Sequence, residues 1–206
     1  MIDLHRHWPA LLSGHTDLRD RLVEAYDEPH RAYHDTQHLH EVLERINAID
    51  AATDQDIDRD AVLLAAWFHD SVYDSEGDNE ERSAVLATRE LTDAGVAPAL
   101  VSEVARLVRV TASHQVSEFD LAGQVLCDAD LGILAADAQR YAEYTEGVRR
   151  EYQHVPEQDF RHARAQILRS LLDAPTLYKT GFAKQHWEVA ARDNVTREIE
   201  HLEMAP

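Results

Sequence analysis

The chain has 206 residues but a single cysteine, Cys127, so it can form no internal disulfide and no cysteine-ligated zinc ribbon. Glycine, at 7, and proline, at 6, are scarce, which argues against a turn-rich sandwich and a collagen-like chain. Long apolar runs are missing too. The longest, 61–68, falls far short of the roughly 20 residues that span a bilayer. The opening MIDLHRHW has no basic stretch leading into an apolar one, so no secretion signal is predicted and a cytoplasmic location is expected. Positive charge is short as well: Lys+Arg total 20 against 39 Asp+Glu, a net charge of −19. Binding to a nucleic-acid polymer or an anionic membrane needs a basic patch, and this balance disfavours one. With 44% hydrophobic residues the chain is not disordered, and its length suffices to bury a core.

What is present is helical spacing. Apolar residues recur three and four apart nearly throughout, and no strand-like alternation outlasts them. The reading is all-α, a single domain over 1–206 with about eight or nine helices. The opening region carries Leu4, Trp8, Leu11, Leu12, Leu18, Leu22 and Tyr26. Asp35 or Thr36 can cap a second helix that buries Leu39, Val42, Leu43, Ile46 and Ile49. The third, 61–69, is apolar on most sides and is expected at the centre. Asp78 and Glu81 resemble a capping box for the fourth, which Gly95 ends. Pro98 opens a fifth that reaches His114, and a short sixth holds Asp128 and Asp130. Helices at about 138–152, 157–172 and 184–204 complete the pattern.

The chemistry concentrates around Trp67-Phe68-His69-Asp70, where an adjacent His and Asp close the apolar helix. Buried ionisable groups are rare unless paired or bound to metal. A satisfied core histidine is the plain alternative. His34, His38 and His40 lie upstream, and Asp128 and Asp130 downstream. Nitrogen and oxygen donors in that order, all near helices, form a set suited to a divalent transition metal.

The ordered pattern His38, then His69-Asp70, then Asp130 resembles the HD superfamily of metal-dependent phosphohydrolases. The chain is similar to the small stand-alone HD phosphohydrolases in several blocks: PHRAYH at 29–34, WFHDSVYD at 67–74, DNEERSA at 78–84, LCDADLGIL at 126–134 and EYQHVP at 151–156. The resemblance implies an all-α HD-type domain, with a metal-site core at about 29–135 and helices over 137–204 completing the pocket. It implies His38, His69, Asp70 and Asp130 as ligands of Mn, Fe, Co, Ni or Zn. It also implies hydrolysis of phosphate esters, often nucleotides. In binuclear members, histidines between the His-Asp pair and the last aspartate hold a second ion. Here only His114 occupies that interval, so one ion is favoured over two and diiron oxygenase activity is disfavoured. Asp128 is an alternative ligand, or a partner that orients a histidine. His34 could touch metal or substrate. His40, about 200° round the helix from His38, is expected to be exposed.

Phosphate needs cationic donors. Arg161 and Arg164 are three apart on one predicted helix, and Arg149, Arg150 and Arg31 are further candidates for an anion clamp. The alternative is a solvated ridge paired with Glu146, Glu151 and Glu157. Asp74 and Glu80 follow the His-Asp pair closely enough to serve, beside Asp70, as acid or base. The expected activity is hydrolysis of a small soluble phosphate ester, with a nucleotide as first choice. A nucleotide-binding sensor without turnover is the alternative from another class. Homo-oligomerisation is compatible with the sequence.

Overall fold

The computed structural model describes residues 3–74 and 77–204. Among them are ten α-helices, three short 3-10 turns and no strand. The helices are α1 (Thr16–Tyr26), α2 (Thr36–Ala51), α3 (Arg59–Phe68), α4 (Asn79–Asp93), α5 (Pro98–Val110), α6 (Leu121–Asp130), α7 (Ala138–Glu151), α8 (Glu157–Leu172), α9 (Gly181–His186) and α10 (Glu188–Met204). The 3-10 turns are His5–His7, Ala10–Leu12 and Leu131–Ala135. No helix among the described residues is long and apolar enough to cross a membrane.

Helix α3 is the hub. Every residue from Ala61 to Phe68 is buried, and the helix packs against α2, α4, α5 and α6. A segment apolar on all sides has to be enclosed by other helices, and four neighbours do so here. Asp58 caps α3 by accepting from the Ala61 N–H at 3.1 Å. Asp35, rather than Thr36, caps α2, accepting from Gln37 and His38 at 2.8 and 3.2 Å. Gly95 ends α4 at φ +76°, a left-handed backbone that favours glycine. The capping box expected at Asp78 does not form. Asp78 makes no side-chain cap, and Glu81 turns outward to Arg109.

Two hydrophobic cores share the work. The first runs from Leu4 through α3 to Ala129. The second gathers Tyr33, Ile133, Leu134, Tyr141 and Tyr144 with the inner faces of α8 and α10. The helix expected over 184–204 is two helices, α9 and α10, broken at Trp187. Trp187 packs its ring on Tyr178 and Phe182. Glu188 accepts the Leu177 and Tyr178 N–H groups, which locks the break. The lone thiol, Cys127, is buried in α6, and burial pushes its ionisation well above the ordinary thiol range.

Gly147 seats the turn before α2 on the second core. A Cβ built there would lie 2.7 Å from the Ala32 carbonyl oxygen and 3.0 Å from Tyr33 Cβ, so α7 approaches the turn before α2 more closely than any side chain permits. Gly147→Ala is therefore expected to destabilise the protein by about 1–3 kcal/mol through overpacking against backbone. Urea unfolding checks this; a midpoint equal to wild type would show that the turn yields.

Candidate metal centre

Three helix ends deliver the central cluster. His38 lies in the first turn of α2, held by the Asp35 cap. His69 occupies the C-cap of α3 and Asp70 follows it. Asp130 ends α6. His69 donates from Nδ1 to the Ala66 carbonyl at 2.8 Å, which leaves its Nε2 lone pair facing inward. His38 Nε2 lies 3.0 Å from it. Asp70 Oδ2 is 3.3 Å from His38 Nε2 and 3.1 Å from His69 Nε2. Asp130 Oδ1 is 3.3 and 3.6 Å from the same two nitrogens.

These spacings suit a metal. Ligands at ~2.1 Å stand roughly 3.0–3.4 Å apart along the edges of an octahedron or tetrahedron. His38, His69 and Asp130 form a group that could hold an ion, and Asp70 Oδ2 stands at matching distance. The donor chemistry agrees, since two imidazole nitrogens and two carboxylate oxygens suit borderline divalent ions. Burial works to raise the Asp70 and Asp130 carboxyls, but the His69, His38 and His114 imidazoles beside them hold both well below the usual range. Burial works to lower His38 and His69, and the same carboxylates raise both.

His114 completes the cluster. Its Nε2 is 2.8 Å from Asp130 Oδ2, the oxygen that does not face the two histidines. Helix α5 stops at Val110, short of the sequence expectation, and His114 follows in a turn at φ +52°. Among the described residues it is the sole non-glycine residue with positive φ. That left-handed turn folds the imidazole back onto Asp130.

A cleft of about 540 Å³ opens from Asp130 and His114 toward α7 and α8. His34 and Glu80 line it, as do Tyr144 and Arg164, and the rest of the wall is largely apolar. His34 stacks on Tyr73 with ring centroids 4.4 Å apart and lies 5.5 Å from the His38 ring.

Other predicted site residues lie elsewhere. Arg31 is buried behind the cluster, where it donates to the Asp70 and His34 carbonyls at 2.7 and 3.0 Å and pairs with Glu28. It braces the backbone and does not line the cleft. Arg149 binds Glu157 and the Tyr152 and Val155 carbonyls, tying α7 to the start of α8. Arg150 is exposed. Arg161 donates to the Leu202 carbonyl at the end of α10. Of the four clamp candidates on α7 and α8, Arg164 alone lines the cleft, and its guanidinium is committed to Glu198 and Tyr144. Asp74 pairs with Arg82 at the surface and is absent from the cleft lining. Asp128 is no ligand of the cluster. Its carboxylate accepts from the Lys179 and Thr180 N–H groups at 2.9 and 2.7 Å and anchors the loop before α9.

Glu151 was not legible as a site residue. One buried carboxylate oxygen accepts the N–H groups of Ala32, Tyr33 and His34 at 2.8, 2.8 and 3.0 Å. The other meets His34 Nδ1 at 2.8 Å and the Tyr73 hydroxyl at 2.9 Å. One signal existed: a carboxylate ending a helix opposes the macrodipole and calls for partners elsewhere.

Against known proteins, no family model, no curated protein and no solved structure matches the chain.

Burial works to raise Glu151, yet His34 and the Tyr33 and Ala32 N–H groups hold it down to about 2, from 4.5. A depressed carboxyl stabilises the fold above its unfolded pKa and loses that contribution as pH falls through the folded one. At ~1.36 kcal/mol per unit the contribution is about 3 kcal/mol at neutral pH. Glu151→Gln is expected to lose up to that amount at pH 7. Its gap from wild type should close as pH drops from 4.5 toward 2. A gap independent of pH would show that shape, not charge, holds the turn.

Proposed function

We propose that the chain is a metal-dependent phosphohydrolase acting on a small phosphate ester. The observation that carries this reading is the convergence of two imidazole nitrogens 3.0 Å apart with a carboxylate oxygen from each of Asp70 and Asp130, each 3.1–3.6 Å from both nitrogens, beside a cleft that Asp130 lines. His38, His69, Asp70 and Asp130 would hold one divalent transition ion. Such an ion, when bound, polarises a phosphoryl oxygen and lowers the pKa of a water.

The chain's own groups supply the remainder. His114 takes the outer oxygen of Asp130 and so fixes which oxygen faces the histidines. One ion is favoured over two on ligand count, since His114 is the sole histidine between Asp70 and Asp130. Glu80 and His34 stand at the cleft wall and are the groups within the pocket suited to move a proton to or from a leaving oxygen. His34 is set for this by Glu151 on its Nδ1, which leaves Nε2 for the substrate side.

The cleft bears on substrate class. Four spare arginines would suit a polyphosphate, and the wall offers Arg164 alone, already paired with Glu198. A single phosphate with an aromatic or apolar remainder fits that lining, with Tyr144 and Phe160 as its flat surfaces. A nucleoside monophosphate meets both conditions and is the first substrate to try.

Metal analysis of purified protein, then a phosphatase screen over nucleoside mono- and triphosphates and sugar phosphates with Mn, Co, Ni or Zn, tests the proposal. Uptake of no divalent ion together with no hydrolysis would end it. Asp70→Ala is expected to lose both bound metal and hydrolysis while keeping the helical circular dichroism. His114→Ala is expected to cost about 10–100-fold in metal affinity or activity, as loss of an outer partner does. Wild-type metal content in Asp70→Ala would show that Asp70 only braces its neighbours.

A further inference from the structure

A second group of donors lies on the other side of α2. Two residues advance a helix by about 200°, so His40 points away from His38 and the central cluster. Four residues on, Glu44 shares the His40 face, the spacing at which two helix side chains can grip one ligand. His7, from the 3-10 turn His5–His7, comes down on the same spot.

The three side chains are already gathered. His7 is buried, and its Nε2 lies 2.9 Å from Glu44 Oε1. The His7 and His40 rings meet edge to face, with centroids 5.7 Å apart. One donor atom from each of His7, His40 and Glu44 lies within 4.8 Å of the others. His40 Nδ1 is buried and has no hydrogen-bond partner, which is costly for a polar atom unless something binds it.

A cation already sits against this group. Arg6 Nη2 is 2.7 Å from Glu44 Oε1, and Arg6 Nε is 3.0 Å from His7 Nε2. The Arg6 side chain is 53% exposed and belongs to a short surface turn, so it can swing out. Beside it a cavity of about 590 Å³, lined by His7, Glu44, Asn47 and Asp60 among others, opens to solvent and gives an entry path. Asn47 stands 3.1 Å from His7 Nδ1, where an outer partner would orient a ligating imidazole. Its amide, turned end for end, would accept from Nδ1–H and release the half-exposed Arg59.

We propose that His7, His40 and Glu44 form a separate zinc site, in which Zn²⁺ displaces Arg6 and takes water as its fourth ligand. The ion would cross-link two parts of the fold, with its fourth position left open to water. It ties the opening turn, with Leu4 and Trp8 against the first core, to α2, and it adjoins the cavity under Pro9 rather than the cleft. It stands independently of the phosphohydrolase reading.

Zinc retained by the full chain after dialysis, measured per mole, tests this in wild type, His40→Ala, Glu44→Gln and Arg6→Ala. His40→Ala and Glu44→Gln should each hold one equivalent less than wild type. Zinc should raise the Tm of Asp130→Asn, whose central cluster is broken, by about 5–10 °C at hundredfold excess over Kd. Adding His40→Ala to Asp130→Asn should abolish that rise. Arg6→Ala should keep the stoichiometry and bind about fivefold tighter, since one exposed ion pair no longer competes. If His40→Ala does not fold, His40→Gln replaces it. Zinc content in the His40 and Glu44 variants equal to wild type would overturn the site. A Kd unchanged in Arg6→Ala would overturn the placement of the ion at the guanidinium.

Discussion

Two imidazoles and two carboxylates share one small buried volume between α2, α3 and α6, and much of the surrounding architecture follows from that. Buried charges are unfavourable unless paired and hydrogen-bonded, and even a good pair seldom repays its desolvation in full. The cluster therefore needs a frame that fixes each group. Asp35 pins the start of α2, the Ala66 carbonyl selects the His69 tautomer, and His114 claims the outer oxygen of Asp130. Arg31 holds the Asp70 carbonyl from behind, stacked over Tyr26 and Tyr73 at 5.2 and 5.4 Å. A set of groups this costly to bury is stable only while its surroundings stay rigid, and the apolar hub α3 supplies that rigidity.

The second core has a different task. Its helices α7 and α8 form the far wall of the cleft, and the link between wall and cluster passes through Glu151 and Gly147. Gly147 permits contact with the turn at Ala32 and Tyr33, and Glu151 hydrogen-bonds that turn's backbone. Tyr33 then stands between Tyr144 and His38, with ring centroids 4.6 and 4.8 Å away. Cleft and cluster are thus mechanically one object, although their residues lie more than 100 positions apart in the chain: Glu151 and Ala32 are separated by 119.

The all-α reading and the buried α3 were legible because helical periodicity is a local signal that packing rarely overrides in long amphipathic segments. Residue types and order marked the region of the cluster, while the choice of His38, His69, Asp70 and Asp130 over His34, His40 and Asp128 came from the resemblance to the HD pattern. The arginines were not. Spacing places Arg161 and Arg164 near one another on α8, but a small difference in direction sends Arg161 to Leu202 and Arg164 to Glu198. Those partners belong to α10, whose placement no local pattern announces. Asp128 went astray for a related reason. It lies about 200° round α6 from Asp130, so only one of the two can face the histidines, and the other meets the loop at Lys179 and Thr180.

The turn at His114 carries an evolutionary corollary. A left-handed backbone is sterically unfavourable for a side chain with a Cβ, and asparagine or glycine would sit there with less strain. Histidine accepts that strain here and places its ring 2.8 Å from Asp130. Descendants of this chain that abandon the centre would be free to relax the turn, and the swap of histidine for glycine or asparagine would be an early scar of that loss. It could precede any change in the more deeply packed His38 or His69, whose removal would open cavities in the core.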